Sequence, residues 1–356
     1  DYISSHGTSS FNKKFNNEDE YFQKTKEISN SDLKKKDKKF LIKKIDFRKK
    51  KEKKAYVRNR VLLKGLEKKL GKPIEVFDHH KCHAASAAYF SSWKKCIVLT
   101  ADGYGDESSS KLYLFEKSKL TEIKSTSILN SLGYFYGSIT DYLGFKPHRH
   151  EGKVLGLAAY GNNKKAYSVI SKLIYYDKKI KNIRSKFHNG YLPLFKNEYL
   201  KKLLKSFSKK DIAAATQKVL EKVIIDYLND LNFKNYKLVL AGGIFANVKL
   251  NQKISELKQV KDLFIFPNMG DGGLCVGAAA LTFKNHSKKK VEKIKDMYLG
   301  KKFSNSDVKK EIKKFKIKKF KQVIKPGEIA NLLHKGKIIA LFNGRMEFGP
   351  RALCNR

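Results

Sequence analysis

Short continuous apolar runs alternate along this chain with longer stretches in which apolar residues recur every three to four positions. The first pattern predicts buried strands and the second predicts amphipathic helices. The clearest helix is Asp211 to Leu231, where Ile212, Ala215, Val219, Val223, Ile224 and Leu228 keep helical spacing. From Phe40 to Leu70 the spacing returns in Val57, Val61, Leu62 and Leu66 amid many lysines. That predicts one or two helices with a solvated basic face, stopped by Gly71-Lys72-Pro73. Strands are predicted at Ile74 to Phe77, Cys96 to Gly103, Lys111 to Phe115, a segment ending at Ile128-Leu129, Tyr236 to Leu240, Leu263 to Phe266 and Ile338 to Phe342. Further helices are expected at Ala84 to Phe90, Ser131 to Leu143, Val169 to Tyr175, Leu274 to Phe283 and Pro326 to Leu333.

The apolar text thins at both ends. Residues 1–39 are polar and read as a poorly ordered N-terminal segment, 40–284 as one α/β domain, 285–325 as a lysine-rich linker, and 326–356 as the start of a second α/β domain. Within 40–284, a strand meander and two strand–Gly-Gly–helix units suggest the actin-like ATPase fold, in which nucleotide lies in a cleft against such glycine turns. The turns are Ala241-Gly242-Gly243-Ile244-Phe245-Ala246-Asn247 and Gly270-Asp271-Gly272-Gly273. Neither is a Walker A loop nor a G-x-G-x-x-G fingerprint. Each reads equally as an ordinary tight strand–helix turn. Glu151-Gly152-Lys153-Val154-Leu155-Gly156-Leu157-Ala158 allows close backbone approach to a ligand, although on its own it reads better as a packed helix.

Chemistry concentrates in Phe77-Asp78-His79-His80-Lys81-Cys82-His83. If a helix begins near His79, then His79 and His83 share one face a turn apart, a common way of offering a metal two nitrogens. A capped helix with incidental histidines is the competing reading. Two predicted strands end in aspartates, Asp102 and Asp271, where open α/β sheets place their ligands. Two histidines and two aspartates would suit Fe(II), Mn or Zn. Near the C-terminus Arg345 and Arg351 stand out in a chain poor in arginine. They read as bidentate anion holders or as a surface turn.

Composition alters this picture only a little. A chain of 356 residues with 41% hydrophobic content suits two or three compact units. The net charge of +43 would suit nucleic acid or an anionic membrane. However, the lysines are spread over the whole chain and basic motifs with interleaved aromatics are missing. Lysine-rich, AT-biased coding is therefore favoured, with nucleic acid a less favoured partner and no membrane partner. The four cysteines form no C-x-x-C pair, which suggests reduced thiols in a cytoplasmic protein.

Taken in order from about Ile74 onward, these segments resemble the O-carbamoyltransferases of the nodulation-protein and antibiotic-tailoring type. The resemblance is carried by His79-His80-Lys81-Cys82-His83-Ala84-Ala85-Ser86-Ala87, Asp102-Gly103-Tyr104-Gly105-Asp106, Ser131-Leu132-Gly133-Tyr134-Phe135-Tyr136, Glu151 to Ala158, the two glycine turns, and Phe348-Gly349-Pro350-Arg351-Ala352-Leu353. It implies a domain similar to the tRNA-threonylcarbamoylating ATPase followed by a YrdC-like domain. Carbamoyl phosphate and ATP would give carbamoyl-adenylate, and the carbamoyl group would pass to a hydroxyl of a small-molecule acceptor. By the same resemblance His79, His83, Asp102 and Asp271 would hold a divalent metal, with Fe(II) favoured. Gly152, Lys153, Gly242, Gly243, Asn247 and Gly272 would line ATP, and Arg345 and Arg351 would serve carbamoyl phosphate as catalytic residues. Cys354 stands where the family usually has glycine and Ala159 where proline is common. Asp1 to Asn30 shows nothing like the family's first strand, and the YrdC-like text stops soon after it begins, so both ends read as truncated. The alternatives are a tRNA threonylcarbamoyl-type modifier and an inactive nucleotide-binding fragment.

Overall fold

The computed structural model describes residues 3–6, 25–26, 28–30, 35–106, 108–185, 198–320, 325–341 and 343–350. In chain order these form β1 (Ile3–His6), α1 (Lys35–Leu70), β2 (Ile74–Phe77), α2 (His79–Ala88), β3 (Lys95–Gly105), β4 (Ser108–Glu116) and β5 (Lys119–Ser127). They continue with α3 (Leu132–Tyr142), α4 (Glu151–Ala158), α5 (Asn163–Ile170), β6 (Ile174–Asp177), β7 (Asn182–Ser185), α6 (Glu198–Leu204) and α7 (Lys209–Asn229). Then come β8 (Tyr236–Ala241), α8 (Val248–Ser255), β9 (Val260–Ile265), α9 (Leu274–His286), α10 (Asn305–Lys314) and α11 (Pro326–His334). The chain divides into two compact units, 1–293 and 294–356.

In the larger unit a five-stranded sheet runs in the order β5-β4-β3-β8-β9. β3, β4 and β5 form an antiparallel meander, while β8 lies parallel to β3 and β9 parallel to β8. A meander extended by two parallel strands, each leading into a glycine turn, is the mixed α/β arrangement of the actin-like ATPase fold.

The period of two along β3 assigns the two faces. Ile97, Leu99 and Ala101 join the main core with Phe135 and Ile139 of α3 and Val219, Leu220 and Val223 of α7. The alternate positions, including Thr100, face α2, where His80 bonds to the Thr100 hydroxyl. Asp102 continues that second register, which directs it toward the helix carrying His79 and His83. On this side α2 packs on α9 through Cys82, Ala85, Leu274, Ala278 and Leu281. The two backbones nearly touch, since a Cβ on Gly277 would lie 1.8 Å from the Cys82 carbonyl oxygen.

Several expectations need correction. A strand does occupy the N-terminal segment, because β1 pairs in parallel with β2 from Ile3 opposite Ile74 to His6 opposite Phe77. Only a partner far along the chain makes that short polar run a strand. The Phe40 to Leu70 pattern belongs to a single 36-residue helix that starts at Lys35, inside the stretch read as poorly ordered. The helix expected over Val169 to Tyr175 ends at Ile170, and Ile174–Asp177 turns back as a hairpin with Asn182–Ser185. The Asp177 carboxylate nucleates that turn by accepting from the Lys179 amide at 2.9 Å.

In the smaller unit α10 begins inside the stretch read as linker, closed by a capping box between Ser304 and Asp307. Ile338–Leu341 forms no strand, since nothing among the described residues pairs with it, and Phe342 lies outside the described residues. Among the described residues no helix is long and apolar enough to cross a membrane.

The Gly277 contact can be tested against Gly156, an exposed α4 glycine whose added Cβ would meet open space. Gly277→Ala should lower unfolding free energy by about 1–3 kcal/mol through overpacking. Gly156→Ala should raise it by about 0.5–1 kcal/mol through helix propensity. Urea unfolding followed by circular dichroism would show the opposite signs.

Candidate metal centre

α2 starts where its sequence allows a cap. The Asp78 side chain accepts from the Lys81 amide at 2.8 Å, and Lys111 Nζ holds the same carboxylate at 3.1 Å. Burial alone would push the Asp78 carboxyl up. The Lys111 charge and the Lys81 amide outweigh that and hold it below the ordinary range. The cap fixes the helix phase, so His79 on the first turn and His83 on the next face the same side. His80, between them, faces the sheet, with Nδ1 2.9 Å from Thr100 Oγ1 and Nε2 3.0 Å from the Ser108 carbonyl oxygen. Burial, reinforced by the neighbouring imidazoles, lowers its pKa to about 3. His80 is therefore a neutral strut whose Nε2–H donates to Ser108.

Asp102 and Asp271 arrive from two different strand ends. Asp102 Oδ1 accepts from the Gly103 amide at 2.6 Å, while Oδ2 lies 3.1 Å from His83 Nε2 and 3.9 Å from His79 Nε2. Asp271 opens a single 3-10 turn before α9, with its side chain 73% exposed. Its Oδ1 lies 3.7 Å from His79 Nε2 and 3.6 Å from His83 Nε2. Donor atoms of all four residues lie within 4.8 Å of one another. Ligands at ~2.1 Å from a tetrahedral ion stand about 3.4 Å apart, and these separations bracket that value.

The electrostatics agree with a cation site. Burial would depress His83, but hydrogen bonds to Asp102 and Asp271 raise its pKa above the ordinary imidazole value. Burial would raise Asp102, but His79 and His83 hold it well below the ordinary carboxylate range. A proton on His83 is favoured beside these carboxylates, and a divalent cation would take over that role. Two nitrogens and two oxygens suit a borderline first-row metal. Cys82 lies on the same helix but is fully buried in the α2–α9 packing, with its thiol pKa pushed far up by burial. It stands outside the cluster.

The residues expected along a nucleotide are distributed unevenly. Gly242 has φ +102°, and a Cβ there would lie 2.2 Å from the Ala101 carbonyl oxygen, so packing of β8 against β3 already requires glycine. Gly243 is exposed, and its amide donates to Asp102 Oδ2 at 3.3 Å, which sets this turn against the metal-ligand cluster. Asn247 caps α8 by accepting from the Leu250 amide at 3.0 Å, and its amide group pairs with Gln217 at 2.8 Å. Gln217 also receives the Tyr136 hydroxyl at 3.2 Å and donates to Glu221 at 2.9 Å. The sequence reading missed this buried network because its members sit on a plain amphipathic helix. Gly272 follows Asp271 and is exposed, as are Gly152 and Lys153 on the first turn of α4.

In the smaller unit, Arg345 is exposed, bridges Lys302 through its backbone, and donates from Nε to the Gly300 carbonyl at 3.0 Å. Arg351 lies outside the described residues.

The centre makes a direct prediction. A His79→Ala/His83→Ala double variant should stay folded and lose bound transition metal, as read by elemental analysis against the wild-type chain. Because the carboxylates raise the His83 pKa, metal must displace a proton there over a window lying above the ordinary imidazole range. Affinity should be full at higher pH and fall as pH drops through that window, as calorimetry in buffers of different ionisation heat would show.

Residues 2–280 match the family model for the carbamoyltransferase N-terminus, and residues 330–356 match that for the carbamoyltransferase C-terminus. The first match includes β1, so the N-terminal segment that read as lacking family features lies within the family's N-terminal region. An uncharacterized protein of Methanocaldococcus jannaschii is 36% identical over 331 residues, covering 84% of this chain and 53% of its own length. Nodulation protein NolO of Bradyrhizobium diazoefficiens is 28% identical over 288 residues, covering 78% of this chain and 52% of its own. The chain thus spans about half the length of these curated relatives. Among solved structures, the Acidaminococcus fermentans (R)-2-hydroxyglutaryl-CoA dehydratase component A is similar over 65% of this chain and 74% of its own, with a TM-score of 0.42 and 18% identity. The N-terminal model covers most of the chain and the C-terminal model follows it in order, so this chain belongs to the carbamoyltransferase family.

Proposed function

We propose that this chain takes part in ATP- and metal-dependent transfer of a carbamoyl group from carbamoyl phosphate, through carbamoyl-adenylate, to a hydroxyl of a small-molecule acceptor. The observation that carries the reading is the convergence of His79, His83, Asp102 and Asp271 beside the exposed Gly243 turn, in a member of the carbamoyltransferase family. Those four side chains would hold a divalent ion, Fe(II) in our reading with Mn or Zn as alternatives. Bound there, the ion supplies Lewis acidity toward an acyl oxygen.

The chain's own residues supply the rest. Asp78 and Lys111 fix the phase of α2, so both imidazoles point one way. Gly243, its amide held by Asp102, and Gly272, beside Asp271, present bare exposed backbone next to the cluster, and Gly242 and Asn247 shape the first of these turns. Gly152 and Lys153 complete the nucleotide lining, where the lysine can offset phosphate charge. Arg345 and Arg351 would serve carbamoyl phosphate, since a guanidinium holds an oxyanion bidentately. The unpaired thiols Cys82, Cys96 and Cys275 support a cytoplasmic setting. The net charge of +43 supports a second reading, modification of tRNA by threonylcarbamoyl transfer, which salt-dependent RNA binding would favour.

Lys153 is exposed and free of packing duties, which makes it a clean probe. Lys153→Ala should weaken ATP binding by about tenfold, or ~1.4 kcal/mol, with metal content unchanged. Unchanged calorimetric affinity would remove Lys153 from the nucleotide site.

The adenylate-forming step belongs, in our reading, to the longer arrangement of the family. The 356-residue chain alone should bind ATP and metal yet release no pyrophosphate from ATP when carbamoyl phosphate is added. Robust release would place that step within these residues and overturn the division of labour.

A further inference from the structure

We propose that Gly105 and Asp106 act as a positioning clamp for His79, tuning the affinity and geometry of the metal centre without contributing a ligand. The inference rests on the metal reading above. It concerns two residues of Asp102-Gly103-Tyr104-Gly105-Asp106 that neither the metal reading nor the nucleotide reading uses.

Each residue grips a different part of His79. Asp106 Oδ2 accepts from the His79 backbone amide at 2.8 Å. That amide belongs to the first turn of α2, which has no carbonyl of its own helix to bind. Asp78 satisfies the Lys81 amide of the same turn, so two carboxylates from different elements cap one helix start. Gly105 meets the side chain. A Cβ at this position would lie 2.1 Å from His79 Cδ2, 2.2 Å from Cγ and 2.6 Å from Cβ, so bare backbone abuts the imidazole. Any larger residue would have to push the ring aside.

Local geometry explains how one strand does both jobs. β3 pairs regularly with β4 up to Ala101, and the register then shifts before Gly105 opposite Ser108. A bulge of this kind bends a strand end and re-aims what it carries. Asp106 then takes φ +56°, a left-handed conformation that aspartate tolerates better than most residues. The strand that delivers Asp102 to the centre therefore curls over and seizes the first histidine as well. His83 needs no such device, being fully buried in the middle of α2 with Nε2 on Asp102. His79 sits at the helix start, where fraying would otherwise leave its ring loosely held.

The test uses the 356-residue chain with Co(II) as the probe, reading affinity by chelator competition and geometry by the visible d–d absorption. Gly105→Ala should weaken Co(II) binding about ten- to a hundredfold and shift the d–d bands, as outer-shell changes do at metal sites. Gly103→Ala, whose Cβ would meet open space in the same segment, should do neither. Asp106→Ala should weaken binding by about tenfold, and Asp106→Asn, which keeps an accepting oxygen, should restore most of it.

The decisive measurement is a double-mutant cycle. In a His79→Ala background, Gly105→Ala and Asp106→Ala should have no further effect on Co(II) affinity, since there is no ring left to position. Additive losses, or normal affinity and spectra in both single variants that fold by circular dichroism, would overturn the clamp. A wild-type chain that binds no Co(II) would overturn the metal reading itself, a result distinct from either.

Discussion

Two carboxylates face two imidazoles at the carboxyl end of a buried strand, and most of the larger unit is arranged so that they can. Asp102 comes from β3 and Asp271 from the turn after β9, while both histidines come from one helix lying across the sheet. Asp271 reaches solvent, but the largely buried Asp102 is tolerable there only with donors or positive charge beside it. Pairing between Asp102 and His83 outweighs burial for both groups, holding the carboxyl low and pushing the His83 imidazole up. The reach of Asp102 to His83 is 3.1 Å, so α2 must lie very close to the sheet and to α9. The near contact of Gly277 with the Cys82 carbonyl achieves this on one side, and His80 bonding to Thr100 and Ser108 achieves it on the other.

Much of the sheet was legible from pattern because its central strands, β3 and β8, are buried on both faces. The apolar runs at β3 and β8 read correctly for that reason, the half-exposed edge strand β9 showed through its apolar Leu263-Phe264-Ile265 end, and the helix α7 showed through its long period. The misses share a different cause. β1 is a short polar run whose strand pairing is with β2, each residue opposite one 71 positions further on. β6 lies where Val169, Ile170, Leu173 and Ile174 mimic helical spacing, but the helix closes at Ile170 with its cap at Ser171, and the turn at Asp177 folds the following strand back as a hairpin. Ile338–Leu341 shows the converse, an apolar run that stays irregular among the described residues because nothing pairs with it.

The grouping of His79, His83, Asp102 and Asp271 could be guessed but not shown from sequence. Spacing put the histidines together, and strand ends put the aspartates at the sheet edge. Only the parallel pairing of β3, β8 and β9 brings the two carboxylates within reach of one ion. The supporting residues were less visible. Lys111 reads as one of many lysines, yet it fixes Asp78. Gln217 and Glu221 read as the polar face of a helix, yet both are buried, with Gln217 bonded to Glu221 and to Asn247. Polar residues inside a structure announce themselves by their partners, and partners distant in sequence leave no local pattern.

Glycine is where sequence and structure divide most clearly. Each glycine in the two turns reads as room for a ligand, but a side chain can be excluded for two unrelated reasons. At Gly242 and Gly277 the excluded volume is filled by another stretch of this chain's own backbone, so packing alone demands glycine there. At Gly152 the space beyond the missing Cβ is open, so the protein's packing does not require glycine at that position. Gly243 lies between the two cases, exposed to solvent with Asp102 Oδ1 3.1 Å from where its Cβ would stand. A substituent at Gly243 would therefore press on Asp102 of the candidate metal cluster. Lys153 is exposed on the first turn of α4 and is not one of the four clustered residues, so its substitution tests the proposed nucleotide site apart from the proposed metal site.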